Sequence, residues 1–277
     1  MTFEPEQLGQ SKTDLAEKLR ELRKAAGLTG DRLAKRCNMS QSQISKFETG
    51  KKTPKLVDVE RILRALDAPP ELITEVAALA RIANTEWQDK RSSWRRGLEK
   101  RQAELAALET EATALRYFLP AMVTGLLATP EYVRASLSNA PGDKSKTVAR
   151  KLERQAVLYD TSKSFTFLLT EQAVRWAIVP PPVMAVQIDR LASLSHLPNV
   201  RVGVIPFGVQ IPRGPMNTFT VYDDRLATVE NFTGRMVFQD SRDVAEHLAV
   251  FATFERHALF GPMARQRLSE WAETYRA

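Results

Sequence analysis

The sequence predicts a mainly α-helical chain with an α+β second domain, on three observations. Up to residue 85, apolar residues recur at helical spacing between capping and stop signals. A stripe of alternating fours and threes spans residues 94–119, and runs rich in β-branched and aromatic residues gather after residue 160. The expected architecture is a five-helix helix-turn-helix domain at 12–85, a long helical connector at 86–119, and a small mixed sheet covered by helices at 120–277. A chain of 277 residues has room for two domains with cores of their own.

The first helix is marked by Leu15, Leu19 and Leu22 and stops at Gly27, after Ala25-Ala26. Thr29 caps a second segment, Gly30 to Cys37, with Leu33 and Ala34 inward and Arg32, Lys35 and Arg36 outward. Asn38-Met39 makes a tight connection. Ser40, followed three residues later by Gln43, reads as a capping box that opens a short helix; Gly50 stops it and Pro54 prevents its resumption. On that helix Ile44 and Phe47 share one face, while Gln41, Ser42, Ser45 and Lys46 share the other. Amides read an adenine edge, hydroxyls serve either base type, and lysine reaches guanine or phosphate, so the outer face suits a DNA major groove. An ordinary solvated helix face has the same composition. Charge distinguishes the two readings. The chain carries a net charge of +7, and between Lys12 and Lys55 twelve basic residues stand against five acidic ones, so the whole excess lies in this segment. Leu56, Val59, Ile62, Leu63 and Leu66 then mark a fourth helix, and Leu72, Val76, Leu79 and Ile82 a fifth that begins at Pro69-Pro70.

Leu-Arg-Glu-Leu-Arg-Lys-Ala-Ala-Gly-Leu-Thr at 19–29 and Met-Ser-Gln-Ser-Gln-Ile-Ser-Lys-Phe-Glu-Thr-Gly at 39–50 resemble the phage-repressor-like (Cro/C1, XRE) helix-turn-helix family. The resemblance implies that Gln41, Ser42 and Lys46 face base edges, with Gln43 and Ser45 near bases or backbone. It places Thr29 at a phosphate and matches Arg23 and Glu48 to a structural ion pair. Where the family commonly has a phosphate-gripping glutamine, this chain has Gly30, whose helix-terminal amide is the expected substitute. Lys51, Lys52 and Lys55, in the loop after the polar helix, are the expected side-chain phosphate contacts.

In the connector, Trp94, Leu98, Arg101, Leu105, Leu108, Ala112, Leu115 and Leu119 follow heptad spacing. Either this helix dimerises and spaces two DNA-reading heads, or its stripe packs on its own second domain. Trp87 and Trp94 read as core or interface anchors. Further on, Met122 to Ser138 continues the helical signal, with Thr129-Pro130 as a helix start; a helix from Thr147 to Tyr159 precedes a strand at Ser164–Thr170. A helix from Val183 to Ser195 and an apolar run at Val200–Ile205 complete one parallel crossover. Phe219–Tyr222, Ala227–Glu230 and Met236–Phe238 read as a meander, with Asp223-Asp224 as a tight turn, before a long helix carrying Val244, Leu248 and Phe251 and a last helix after Gly261-Pro262. Arg154, Glu171 and Glu230 are candidates for one charge network, either structural or lining a pocket for a ligand or partner.

Leu119 to Ala135, Arg154-Gln155, Leu169-Thr170-Glu171, Val183-Met184 with Gln187, Val202 to Pro206 and Thr228-Val229-Glu230 resemble the carboxy-terminal domain of WhiJ-like regulators of actinomycetes. That resemblance implies a transcription regulator, often encoded beside a small partner protein in an arrangement compared to antitoxin and toxin.

Catalytic, metal and cofactor sites are not expected. The sequence shows neither a phosphate loop, a dinucleotide-binding glycine pattern nor a nucleophile elbow; Asp243 and His247 stand one helical turn apart, but no second cluster with ligand spacing accompanies them, His257 points away from His247, and His196 lies near a helix end. The one cysteine, Cys37, requires no oxidising compartment. Met1–Ser11 lacks the pattern of a signal peptide and no run approaches a membrane span, so a cytoplasmic protein is expected. The functional expectation is a homodimeric, sequence-specific regulator that binds an inverted repeat in double-stranded DNA, controlled through its second domain by a small partner protein or ligand. The alternatives are an antitoxin-like protein that sequesters a small partner and autoregulates its operon, and a DNA-tethered enzyme.

Overall fold

The computed structural model describes residues 7–89, 98–140 and 142–276. The chain divides into two compact units. One holds the residues up to Glu86 with the short segment Phe238–Asp240; the other holds Trp87–Val237 and Ser241–Ala277. In the first unit, five helices follow the spacing of the apolar residues: α1 (Gln7–Ala25), α2 (Gly30–Arg36), α3 (Gln41–Glu48), α4 (Leu56–Ala65) and α5 (Pro70–Ala83). They close one core around Leu15, Leu19, Leu33, Ile44, Phe47 and Val59. Cys37 is part of that core, and burial pushes its thiol pKa up.

The second unit is built on β2 to β6 and most of β1 and β7, in a mixed sheet with strand order β1-β7-β6-β5-β2-β3-β4. Its strands are β1 (Thr85–Asp89), β2 (Ala114–Leu119), β3 (Ser164–Thr170), β4 (Val200–Ile205), β5 (Thr218–Tyr222), β6 (Leu226–Glu230) and β7 (Gly234–Phe238). β2, β3 and β4 run parallel, with Leu119 opposite Leu169 and Thr170 opposite Ile205. β5 pairs antiparallel with β2 and with β6, across the Asp223 turn, where Asp223 takes φ 55. Helices α6 (Leu98–Glu111), α7 (Pro130–Ser136), α8 (Ser145–Glu153), α9 (Glu171–Arg175), α10 (Pro181–Leu194), α11 (Ser241–Glu255) and α12 (Gly261–Glu273) accompany the sheet, and a 3₁₀ turn spans Arg154–Tyr159. The main core joins Tyr117, Phe165, Phe167 and Leu169 of the sheet to Met184, Ile188 and Leu191 of α10 and to Leu268 and Trp271 of α12.

Two expectations are corrected here. The connector is not one long helix over 86–119: β1 occupies 85–89, α6 ends at Glu111, and β2, which carries Leu115 and Leu119, lies between β3 and β5. A spacing of four is compatible with either a helical stripe or one face of a strand, so those two leucines fitted both patterns. The tie to Asp223 separates them. Asp223 Oδ1 accepts from the backbone N–H groups of Thr113 and Ala114 at 2.9 and 2.8 Å, and Asp223 N donates to Ala114 O at 2.8 Å, which draws the chain into the sheet. Trp94 lies outside the described residues. The second correction concerns Met122–Ser138, which is helical only over Pro130–Ser136. The irregular stretch before it buries Val123, Leu126 and Leu127, and side-chain amides satisfy its backbone: Gln155 Nε2 donates to Gly125 O and Ala128 O, both at 2.8 Å, and Gln187 bonds Thr129 N and Leu127 O at 2.7 and 3.1 Å. None of the described helices is long and apolar enough to cross a membrane.

Candidate nucleic-acid interface

The polar face of α3 is positioned by caps, a core contact and an ion pair. Thr29 and Ser40 are both extended, and their hydroxyls accept from Arg32 N at 3.3 Å and Gln43 N at 3.2 Å, which sets the starts of α2 and α3. Between the two helices Asn38 takes φ 52, a conformation that asparagine tolerates, and Met39 N donates to Ala34 O at 2.9 Å to close the turn. Ile44 and Phe47 are each only 1% exposed. That anchoring turns Gln41, Ser42, Ser45 and Lys46 outward, while Gln43 is half-buried.

Arg23 of α1 braces the far end of α3. Its Nε and Nη2 donate to the Glu48 carboxylate at 2.6 and 2.8 Å, and its Nη1 donates to Leu28 O at 2.7 Å. One guanidinium thus fixes the end of α3 and the residue before Thr29. The hydrogen bond to Glu48 raises the Arg23 pKa; burial opposes the rise, and the charge of Glu48 adds to it.

The expected phosphate contacts flank this face. A Cβ on Gly30 would lie 3.9 Å from the Gln41 side-chain nitrogen, so the first turn of α2 and the first amide of α3 are neighbours. Lys51, Lys52 and Lys55 are exposed on the loop that leaves α3 through Gly50 at φ 68. Asn84, which sequence reading passed over, anchors that loop by donating to Pro54 O at 2.9 Å. Its signal was an asparagine directly after the last apolar residue of α5.

In the second unit the structure does not join the three residues expected to form one network. Arg154 makes a bidentate pair with Glu109, with Nε to Oε2 at 3.0 Å and a second bond from Nη2 to Oε1, and it also donates to Gln102. Burial lowers the Arg154 pKa, but the bond to Glu109 and its charge reverse the sign and hold the guanidinium charged. Tyr117 donates to Glu109 Oε1 at 3.3 Å, and burial pushes its phenol pKa well up, as it does for Tyr222. Arg154 and Glu230 both act electrostatically on Tyr222, so these two lie in one region of the sheet. Glu171 is elsewhere, paired with Arg175 at 2.5 Å. The partners Gln102 and Glu109 were missed because their helix was read as a separate connector. Both are buried, whereas Glu104, Thr110 and Glu111 of the same helix are exposed.

A helix-turn-helix domain family matches residues 14–86, and the family described as a domain of unknown function, DUF5753, matches residues 102–270, more than half of the chain. The chain belongs to the DUF5753 family. The DUF5753 match takes in the Arg154–Glu109 pair and the loop held by Gln155 and Gln187. Similar solved structures include NucT from Helicobacter pylori, 10% identical with a TM-score of 0.36, covering 63% of this chain and 97% of that one. TrmBL2, described as an archaeal chromatin protein with a novel mode of DNA binding, is 13% identical with a TM-score of 0.31; the match covers 68% of this chain and 59% of TrmBL2. Neither score marks a fold shared with the DUF5753 chain, and no curated protein matches it.

Proposed function

We propose that this protein is a sequence-specific regulator of transcription that binds double-stranded DNA through α3 and receives its signal in the DUF5753 domain. The observation that carries this reading is the pairing of an exposed Gln41-Ser42-Ser45-Lys46 face with a rigid mount. Base reading requires hydrogen-bonding side chains held to a fixed backbone, and the Ser40 cap, the buried Ile44 and Phe47 and the Arg23–Glu48 pair supply that mount. Lys51, Lys52, Lys55, Thr29 and the Gly30 amide flank the face as phosphate contacts. The Arg154–Glu109–Tyr117 cluster is structural in this account: it fastens α6 to the sheet and has no role in chemistry. The protein acts as a homodimer on an inverted repeat, with half-sites about one DNA turn, roughly 34 Å, apart.

Control by a small partner protein or a ligand at the second domain is part of this proposal. The test is size-exclusion chromatography with light scattering on the full chain, alone, with duplexes from its own promoter, and with the product of any small neighbouring gene. The expected result is a dimer that shifts with promoter DNA and whose DNA complex changes when the neighbour is added. Absence of DNA binding at low and moderate salt would overturn the assignment of α3.

A further inference from the structure

β3 and β4 end together, because Thr170 and Ile205 are register partners in a parallel pair. From the end of β3 the chain turns straight into α9, which Thr170 caps by accepting from Ala173 N at 3.2 Å, and then to Trp176. From the end of β4 it passes through Pro206 to Phe207. Tyr275, just beyond α12, completes a cleft of about 340 Å³ lined by Gln172, Arg175, Trp176, Phe207 and Tyr275. The cleft thus lies outside the carboxyl ends of two parallel strands.

Two features show that this cleft is organised. Trp176 and Phe207 are 60% and 64% exposed, although folding ordinarily covers most of so large an aromatic surface. The backbone that carries each of them is hydrogen-bonded. The carboxylate of Glu171, itself buried, accepts from Phe207 N at 2.9 Å and from Arg175 Nη1 at 2.5 Å, so one group anchors the cation and the backbone at Phe207. Trp176 N donates to Gln172 O at 3.0 Å, and the Tyr275 hydroxyl donates to Arg175 O.

The chemistry of the lining selects the ligand. Two aromatic side chains favour a flat ring. Arg175 spends one nitrogen on Glu171 and is still 40% exposed, so further N–H donors remain for a carboxylate or sulfonate, and its charge repels the organic cations that aromatic walls otherwise attract. The volume sits at the low end of the roughly 300–1,000 Å³ of small-molecule sites, which fits one or two fused rings. We infer that this cleft is a binding site for a small planar aromatic anion. It gives the proposed signal input a ligand class, yet it stands on the second unit alone and its test contains no DNA.

The test is calorimetric titration of the full-length protein with 2-naphthoate, with 2-naphthylmethanol as the uncharged counterpart and cyclohexanecarboxylate as the anion without an aromatic ring. Naphthoate is expected to bind saturably at one site per chain, with both controls about tenfold weaker or more, as loss of a charged hydrogen bond or a stacking surface requires. Arg175→Gln should bring naphthoate down to the affinity of the alcohol and leave the alcohol unchanged. Trp176→Ala and Phe207→Ala should weaken both aromatic compounds, and because these side chains are exposed, the circular dichroism spectrum and melting temperature should stay native. The inference is overturned if naphthoate fails to saturate in the millimolar range, if the alcohol binds as tightly, or if the three variants bind as the native protein does. Any of these results would leave the DNA-binding proposal standing, since that depends on α3.

Discussion

Gly203 on β4 offers a sharp test of the packing, because its lack of a side chain is what lets Phe260 lie on the sheet. A Cβ at this position would stand 2.6 Å from two ring carbons of Phe260 and 2.9 Å from Leu168 Cδ2, well inside ordinary van der Waals contact. Neither neighbour gives way easily. Leu168 is fully buried on β3, directly opposite in the register. The chain leading to Phe260 is pinned to β4 by reciprocal hydrogen bonds between Val204 and Leu259, at 3.0 and 2.8 Å, and the ring itself lies 4.4 Å beneath the Arg201 guanidinium. Overpacking of this kind costs about 1–3 kcal/mol, and with two clashing neighbours Gly203→Ala should cost about 2 kcal/mol. For a unit of this size that is a fall of about 4–8 °C in melting temperature. Thermal unfolding followed by calorimetry measures it, and a double-mutant cycle with Phe260→Ala identifies the source: the pair should cost less than the sum of the singles, because the smaller side chain makes room for the new methyl. A Gly203→Ala melting temperature equal to or above the native value would refute the packing argument.

Four further outcomes are expected. Gln41→Ala should reduce discrimination between target and scrambled duplex by about 1–3 kcal/mol in fluorescence anisotropy, and an unchanged ratio of affinities would remove Gln41 from the base-reading set. Lys51→Ala should weaken all duplexes alike and lower the slope of log affinity against log salt by about one. Glu48→Gln, which strips charge from a pair only 15% and 11% exposed, should cost the first unit about 2 kcal/mol in urea unfolding, less than the 3–5 kcal/mol typical of breaking a fully buried pair. Asp223 is held below the usual carboxylate range: burial opposes this, but the N–H groups of Ala114 and Thr113, the Thr113 hydroxyl and Arg225 prevail. With a folded pKa below the unfolded one, its contribution is complete above about pH 4 and is lost as pH falls through the folded value. Asp223→Asn should therefore destabilise by about 1 kcal/mol at pH 7 and by progressively less as the pH is lowered, read from urea midpoints at both ends of the range.

The sequence by itself determined the helices of the first unit, the place of α3 and the chemistry of its outer face. Caps, stops and apolar spacing act within a few residues, so Ser40, Ile44, Phe47 and Gly50 define that helix without reference to distant parts of the chain. The strands at Ser164–Thr170 and Val200–Ile205 and the Asp223 turn were legible for the same reason, as short β-rich runs bounded by turn signals. Tertiary structure alone decided the rest. Whether Leu115 and Leu119 belonged to a helix or a strand depended on Asp223, more than a hundred residues away, taking up the N–H groups at 113 and 114. The partner of Arg154 was Glu109 rather than Glu171 or Glu230, because charges of one sign are interchangeable in a sequence and only the packing of α6 against the 3₁₀ turn selects among them. The aromatic cleft was invisible for a related reason: Trp176, Phe207 and Tyr275 are ordinary apolar positions along the chain and become a site only where two parallel strands end side by side.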